Sequence, residues 1–169
     1  QALALARSNH LTEREGFVLT LLGMAWTRQF QYEKAIELLN QALSLSAKTE
    51  YDHITGNAYF NLATLHNYLG QREKAIEYAE KSLPYVRRNV REYEVLMLLG
   101  DLYQQEGQME KAIARHEEAV AYGKGFQARG WGALALQNLG YDYLKAGRYE
   151  KALETFEAAQ KEVGRYQLS

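Results

Sequence analysis

Apolar residues recur along this chain at intervals of three and four, the spacing that puts side chains on one face of an α-helix. Leu19, Leu22 and Trp26 form one such set. Leu96, Leu99 and Tyr103 form another, and Leu136, Leu139 and Tyr143 a third. The pattern also repeats at long range. The string Glu-Lys-Ala followed by Ile or Leu stands at Glu33–Ile36, Glu73–Ile76, Glu110–Ile113 and Glu150–Leu153, at intervals of 40, 37 and 40 residues. Upstream of each string, at nearly constant offset, lie Leu22-Gly23 with Trp26, Leu62-Ala63 with His66, Leu99-Gly100 with Tyr103, and Leu139-Gly140 with Tyr143. Self-similarity at a fixed period predicts four copies of one helical hairpin, none of which can bury its apolar face alone.

The spacing assigns residues 10–49, 50–89, 90–126 and 127–169 to the four units. Gln1-Ala2-Leu3 through Gly16 aligns without a gap on Gln41-Ala42-Leu43 through Gly56, so residues 1–9 read as the second helix of a preceding unit. The chain therefore reads as one continuous repeat domain cut from a longer protein. Small residues such as Gly23, Ala35 and Ala42 are expected to let two antiparallel helices approach, with Leu22, Trp26 and Leu39 filling the space on either side. Thr12 with Glu15 reads as a capping box opening the first full hairpin, and Asp52 or Thr55 as a cap for the second. Gly123, Gly125, Gly130 and Gly132 predict a break between the third and fourth units.

These residues carry a resemblance. The sequence resembles the tetratricopeptide repeat, with its Leu-Gly-x-x-Tyr signature, a turn Gly, and Ala-x-x-x-Phe followed by a second small residue. The turn Gly stands at Gly70, Gly107 and Gly147, with Phe30 in its place in the first unit. The period of roughly 40 residues is longer than the usual 34. In this the chain is similar to the long-helix subgroup found in kinesin light chains, spindle-orientation adaptors and the bacterial maltose-operon activator. The resemblance implies an all-α fold, a right-handed α-solenoid of stacked antiparallel hairpins with a concave groove.

Composition narrows the partners. Lys and Arg number 20 against 21 Asp and Glu, a formal net charge of −1, which gives no excess to draw the chain to nucleic acid or anionic membranes. No apolar run reaches the ~20 residues needed to cross a bilayer. The chain has no Cys, so neither a disulfide framework nor a thiolate metal site is expected, and a cytoplasmic setting is favoured.

No catalytic or cofactor signal is found. Gly123-Lys124-Gly125 lacks the strand and spacing of a phosphate loop, and His10, His53, His66 and His116 are too scattered for a metal pair. His66 and His116 stand at core positions and are expected to pack there with a ring nitrogen satisfied locally. The Glu-Lys pairs of the repeated string read as a solvated outer face. No cofactor, metal or catalytic group is expected.

Function then falls on the face not needed for folding. With Gly16, Gly56, Tyr93 and Ala133 as position one of each unit, positions 4, 7, 8 and 11 form the core side. Positions 2, 5, 6, 9, 12 and 13 form a stripe about 120° wide on the other side. In the family such a stripe lines the groove, so the resemblance places there Phe17, Thr20, Leu21, Met24, Thr27 and Arg28, then Asn57, Phe60, Asn61, Thr64, Asn67 and Tyr68. It continues with Glu94, Met97, Leu98, Asp101, Gln104 and Gln105, then Leu134, Gln137, Asn138, Tyr141, Leu144 and Lys145. The candidate contacts for a bound segment are Thr20, Met24, Asn57, Phe60, Asn61, Thr64, Met97, Asp101, Gln137, Asn138 and Tyr141. The carboxylate clamp of co-chaperone members is missing, since its positions carry Thr20, Met24 and other uncharged groups. Asn61 and Asn138 are the sharpest candidates, because Asn is a mediocre helix former that the core does not need there. Their joint replacement by Ala is expected to weaken binding with little effect on stability.

The expected role is a non-enzymatic scaffold that recruits a segment of a partner protein, within a larger signalling or regulatory protein. The alternative is a sensory and self-association segment of a signal-dependent regulator, such as a transcriptional one. Self-association through the array ends is expected near Leu3, Leu5, Phe156 or Val163.

Overall fold

The computed structural model describes residues 4–6, 11–48, 51–125 and 130–167. Among them the structure is helical with no strand. Residues 4–6 are helical and precede α1 (Thr12–Arg28), α2 (Tyr32–Ser46), α3 (Asp52–Tyr68) and α4 (Arg72–Ser82). A short 3₁₀ turn (Leu83–Tyr85) leads to α5 (Val90–Gln105), α6 (Met109–Gly125), α7 (Trp131–Lys145) and α8 (Tyr149–Gln167). The chain divides into two compact units, residues 1–92 and 93–169. None of the described helices is long and apolar enough to cross a membrane.

One turn is used four times. The residue after the C-cap takes a left-handed conformation at Phe30 (φ 60°), Gly70 (70°), Gly107 (71°) and Gly147 (72°). The next residue sends its N–H back over the last helical turn, as in Gln31 to Trp26 O at 3.0 Å and Arg148 to Tyr143 O at 2.8 Å. This 6→1 bond closes the carbonyls that a helix end leaves open, and it reverses the chain within two residues. Glycine does this at no steric cost, whereas a β-carbon makes the left-handed well unfavourable. The first hairpin makes the same turn through Phe30, whose ring is 74% exposed and meets Tyr32 edge-on at 6.3 Å.

In the first unit, α1 and α2 form one hairpin, α3 and α4 another, and α3 packs against both α1 and α2. Its core joins Leu19, Ala42, Ile54 and Ala58, with Leu38, Leu43, Leu45 and Tyr51 packed around it. Ser82 closes the α4 end by donating its hydroxyl to Gly56 O at 2.8 Å. The following connection is held by the buried Glu92 carboxylate, which accepts from Arg87 Nη1 (2.8 Å) and from the Arg88 backbone N–H (2.6 Å). In the second unit, α7 packs against α6 and α8. Leu96, Leu99, Leu102, Leu136 and Leu139 are buried there, and His116 of α6 lies so close to Gly100 of α5 that a β-carbon would overlap its ring.

The sequence-predicted caps are corrected. Leu11, not Thr12, is the N-cap of α1, Tyr51 is the N-cap of α3, and neither helix start has a side-chain cap bond. Thr55 donates instead to the Ser46 hydroxyl at 2.7 Å, across the α2–α3 contact. Of the expected glycine-rich break, Gly123 and Gly125 remain within α6. Gly130 (φ 87°) is the N-cap of α7, and residues 126–129 lie outside the described residues.

The Lys of the repeated Glu-Lys-Ala string has a duty that sequence reading gave to solvent. Lys34 lies over the Trp26 ring (4.8 Å to the centroid), Lys111 over Tyr103 (5.1 Å) and Lys151 over Tyr143 (5.4 Å). Each ammonium thus covers the outer face of the signature aromatic and is attracted by its quadrupole. The second hairpin has His66 at that position, and there Tyr78 stacks on the imidazole at 5.2 Å while Gln71 Oε1 bonds Nδ1 at 2.7 Å. The second tryptophan is held differently: Trp131 stacks on Tyr93 at 4.7 Å, and the Tyr93 hydroxyl donates to the Trp131 carbonyl at 2.8 Å. Burial, with the Asp101 charge, pushes the Tyr93 phenol up to about 12.

Candidate functional site

The candidate stripe runs along the first helix of each hairpin: α1 and α3 in the first unit, α5 and α7 in the second. The structure divides it by depth. Thr20 and Thr27 of α1, Asn61 of α3 and Met97 of α5 are buried, at 3%, 4%, 9% and 9% exposure. Met24, Asn57, Phe60, Thr64, Asp101 and Asn138 are half-buried, and Gln137 and Tyr141 are exposed. A stripe 120° wide was thus too generous, because its inner edge faces the neighbouring hairpin. Thr20 and Asn61 meet between α1 and α3, and Met97 is buried as well, so none of the three lines an open surface. The threonine hydroxyls turn back to their own helix, Thr20 to Phe17 O (2.8 Å), Thr27 to Gly23 O (2.9 Å) and Thr64 to Phe60 O (3.1 Å).

Both asparagines are committed to contacts between hairpins. Asn61 Nδ2 donates to the Thr20 carbonyl at 3.1 Å, and Asn138 Nδ2 donates to Asp101 Oδ1 at 3.1 Å. Replacing Asn61 by Ala removes this bond between helices, worth about 0.5–1.5 kcal/mol net, and so lowers stability, contrary to the expectation from sequence. Asn57 Oδ1 accepts from Arg91 Nε at 3.0 Å, and the Arg91 guanidinium lies 4.7 Å above the Phe60 ring.

The largest departure from sequence reasoning is a buried charged group in the second unit. His116 of α6 and Asp142 of α7 both have zero exposure and meet through Nδ1 and Oδ2 at 2.5 Å. Asp101 of α5 lies on the other side of the ring, 3.5 Å from Nε2. Gln104 Nε2 donates to Asp142 Oδ1 at 2.5 Å, and Lys145 Nζ donates to Gln104 Oε1 at 2.5 Å. Burial works against a charged imidazole, but the Asp101 and Asp142 carboxylates outweigh it and push His116 up to about 9, so the ring is a buried cation at neutral pH. His116 was expected in the core with a local partner, and it is there. Asp142 was missed, although one signal was legible: the position holding Ala25, Leu65 and Leu102 in the other hairpins carries a carboxylate in the fourth. Beside this cluster, the Tyr143 hydroxyl donates to Glu117 Oε1 at 2.6 Å, and burial together with that bond pushes the phenol up to about 12.

Among the described residues no group of three or more His, Cys, Asp or Glu has the arrangement to hold a metal ion. A recess of about 490 Å³ opens between α1 and α2 beside Glu15, Glu37, Asn40, Gln41, Ser44 and Lys48. What the stripe does present is apolar surface. Phe17, Leu21, Tyr68, Leu134, Tyr141 and Leu144 are between 44% and 62% exposed. The same stripe carries the amides of Asn57 in the first unit and of Gln137 and Asn138 in the second.

The family model described as tetratricopeptide repeat matches residues 14–88 and 92–161. Tetratricopeptide repeat protein 29 of Macaca fascicularis is 27% identical over 122 residues, which cover 70% of this chain and 26% of that protein. The chain therefore spans about a quarter of the length of this curated relative. Among solved structures, BtubC (BKLC) from P. vanneervenii superposes with a TM-score of 0.82 at 23% identity, covering 92% of this chain and 66% of that one. A signal transduction ATPase with numerous domains and a tetratricopeptide repeat sensor, from Pyrococcus horikoshii, superposes with a TM-score of 0.76 at 23% identity. That match covers 90% of this chain and 25% of the ATPase. At these identities the structures show a shared fold, the all-α helical-repeat fold of the solenoid kind.

Proposed function

This chain belongs to the tetratricopeptide repeat family, and we propose that it is a non-enzymatic interaction module that holds a segment of a partner polypeptide on the first helices of the hairpins within a unit. The observation that carries this reading is the apolar surface left on those helices. Phe17 and Leu21 on α1, Tyr68 on α3, and Leu134, Tyr141 and Leu144 on α7 are half-exposed although their own hairpins are fully packed beneath them. Water is displaced from such a surface when a segment lies on it, at about 25 cal/mol per Å² of apolar area covered, and neighbouring amides can bond the segment's backbone. Asn57 in the first unit and Gln137 and Asn138 in the second supply those amides. Peptides selected from a random library against this chain test the reading through amide chemical-shift mapping. Changes clustered on α1, α3, α5 and α7 are expected; changes confined to α2, α4, α6 and α8 would sink it.

A second reading, as a sensory and self-association segment of a larger regulator, is favoured by the last helix. Leu153 and Val163 of α8 are 62% and 47% exposed, whereas Ile113 and Gly123 at the same repeat positions of α6 are buried. The tetratricopeptide repeat sensor of the Pyrococcus horikoshii ATPase is in keeping with it. Of the residues named for this contact, Leu5 is exposed, Phe156 is half-buried against Gly140, and Leu3 lies outside the described residues. Analytical ultracentrifugation across a hundredfold range of concentration decides it, a monomer throughout ruling self-association out.

A further inference from the structure

Asp101 stands in the middle of the α5/α7 surface, and its two oxygens have different surroundings. Oδ1 accepts from Asn138 at 3.1 Å and lies 3.5 Å from His116 Nε2. No group among the described residues bonds Oδ2, and the side chain is 48% exposed. Nε2 itself is wholly buried and makes no hydrogen bond, so the ring approaches Asp101 from beneath as a charge without closing on it. Asp142 on the far side already answers the His116 charge at 2.5 Å. Two carboxylates against one imidazolium leave the cluster with one negative charge, and the only carboxylate of the pair open to solvent is Asp101. Lys145 keeps its charge one link further out, where its ammonium donates to the Gln104 amide oxygen, so what Asp101 offers a ligand is its open Oδ2 rather than a net negative face. Around Asp101 the surface is apolar, with Leu98 half-buried on α5 and Leu134 and Tyr141 exposed on α7.

We propose that this face seats a lysine or arginine side chain of the bound segment on Asp101, with apolar neighbours of that residue resting on Leu98, Leu134 and Tyr141. The assignment rests on the partner-binding reading above and adds to it the charge of the partner. A cation there meets a carboxylate already fixed in place by Asn138, so little side-chain freedom is lost on binding, and the apolar rim lowers the local dielectric. An acidic segment would bring like charge against the open Oδ2, and a neutral one would cover that oxygen without bonding it.

A random dodecapeptide library displayed on phage is the probe, selected against this chain. Enrichment of Lys or Arg at one position flanked by Leu, Ile, Val or aromatic residues is expected. Changing that residue to Gln in a synthetic copy should weaken binding at least about tenfold, as should D101N, while D101E stays within about threefold of the parent. The peptide change needs no protein variant, so the test survives any loss of folding in D101N. Selected peptides without a basic position, or indifferent to both changes, overturn the charge assignment. If those peptides still lose binding on a Leu134→Ser, Tyr141→Ser double variant, the partner-binding reading stands without it. A library that yields no binder at all overturns both.

Discussion

At the same two positions of the repeat the first unit holds Leu39 and Leu65 and the second holds His116 and Asp142, and all four side chains are wholly buried. The pairs occupy equivalent helices, α2 and α3 in one case and α6 and α7 in the other. Leu39 lies against Gly23 of α1, and His116 against Gly100 of α5. One backbone therefore accepts either an apolar contact or an ion pair at its centre. The apolar solution is non-directional and tolerates a shifted neighbour. The ionic one requires a short Nδ1–Oδ2 bond and a second carboxylate beyond the ring, so it specifies the mutual placement of α5, α6 and α7 at a cost in desolvation.

The sharpest way to break the comparison is to truncate one member of each pair. His116→Ala strands the Asp142 charge in the core and is expected to cost about 3–5 kcal/mol. Leu39→Ala should cost about 2–5 kcal/mol through its cavity. The two differ in repair: the double change His116→Leu with Asp142→Leu gives the second unit the first unit's chemistry, and is expected to be neutral or to stabilise by about 1–4 kcal/mol. Denaturant unfolding followed by hydrogen exchange on α6 and α7 checks both; a double variant less stable than either single one would refute the equivalence.

A milder perturbation is pH. The folded pKa of His116 lies near 9, above the ordinary 6.5, so its contribution is fully present below 6.5 and is lost as pH rises through 9. The second unit should therefore melt at progressively lower temperature across that window, and the His116→Leu, Asp142→Leu chain should not. A ring proton whose NMR titration midpoint stays near 6.5 would show that the carboxylates do not hold the charge.

Next in size is Gly140→Leu. A β-carbon there would come within 2.6 Å of the Phe156 ring, so the longer side chain should destabilise the last hairpin by about 1–3 kcal/mol or more, read as a lowered melting temperature. The smallest effect is a gain. Phe30→Gly gives the first turn the residue that Gly70, Gly107 and Gly147 already supply, and should stabilise by about 1 kcal/mol. An unchanged melting temperature would mean that the Phe30 and Tyr32 rings offset the strained φ.

The repeat, the hairpin turns and the core side of each helix were legible in the sequence, because period and small-residue spacing are properties of the chain itself. Leu62, Leu99 and Leu139 are buried where their phase puts them, and Leu22 is half-buried. The caps were misread at Thr12 and Asp52, since residue type alone does not show whether a helix begins at a polar residue or one earlier. The stripe was half legible: Tyr141 and Leu134 are on the open surface, whereas Thr20 and Met97 are buried, which helical phase within one hairpin does not reveal. His116 and Asp142 are 26 residues apart in sequence, and only the packing of α6 on α7 joins them.

The chain has two tryptophans, one in each unit, and they are held by different chemistry. Trp26 lies under the Lys34 ammonium and Trp131 is stacked on Tyr93. Each half of the molecule thus carries its own optical label. A Trp26→Phe chain emits from the second half alone and a Trp131→Phe chain from the first, so unfolding of either half can be timed in ordinary fluorescence without any dye.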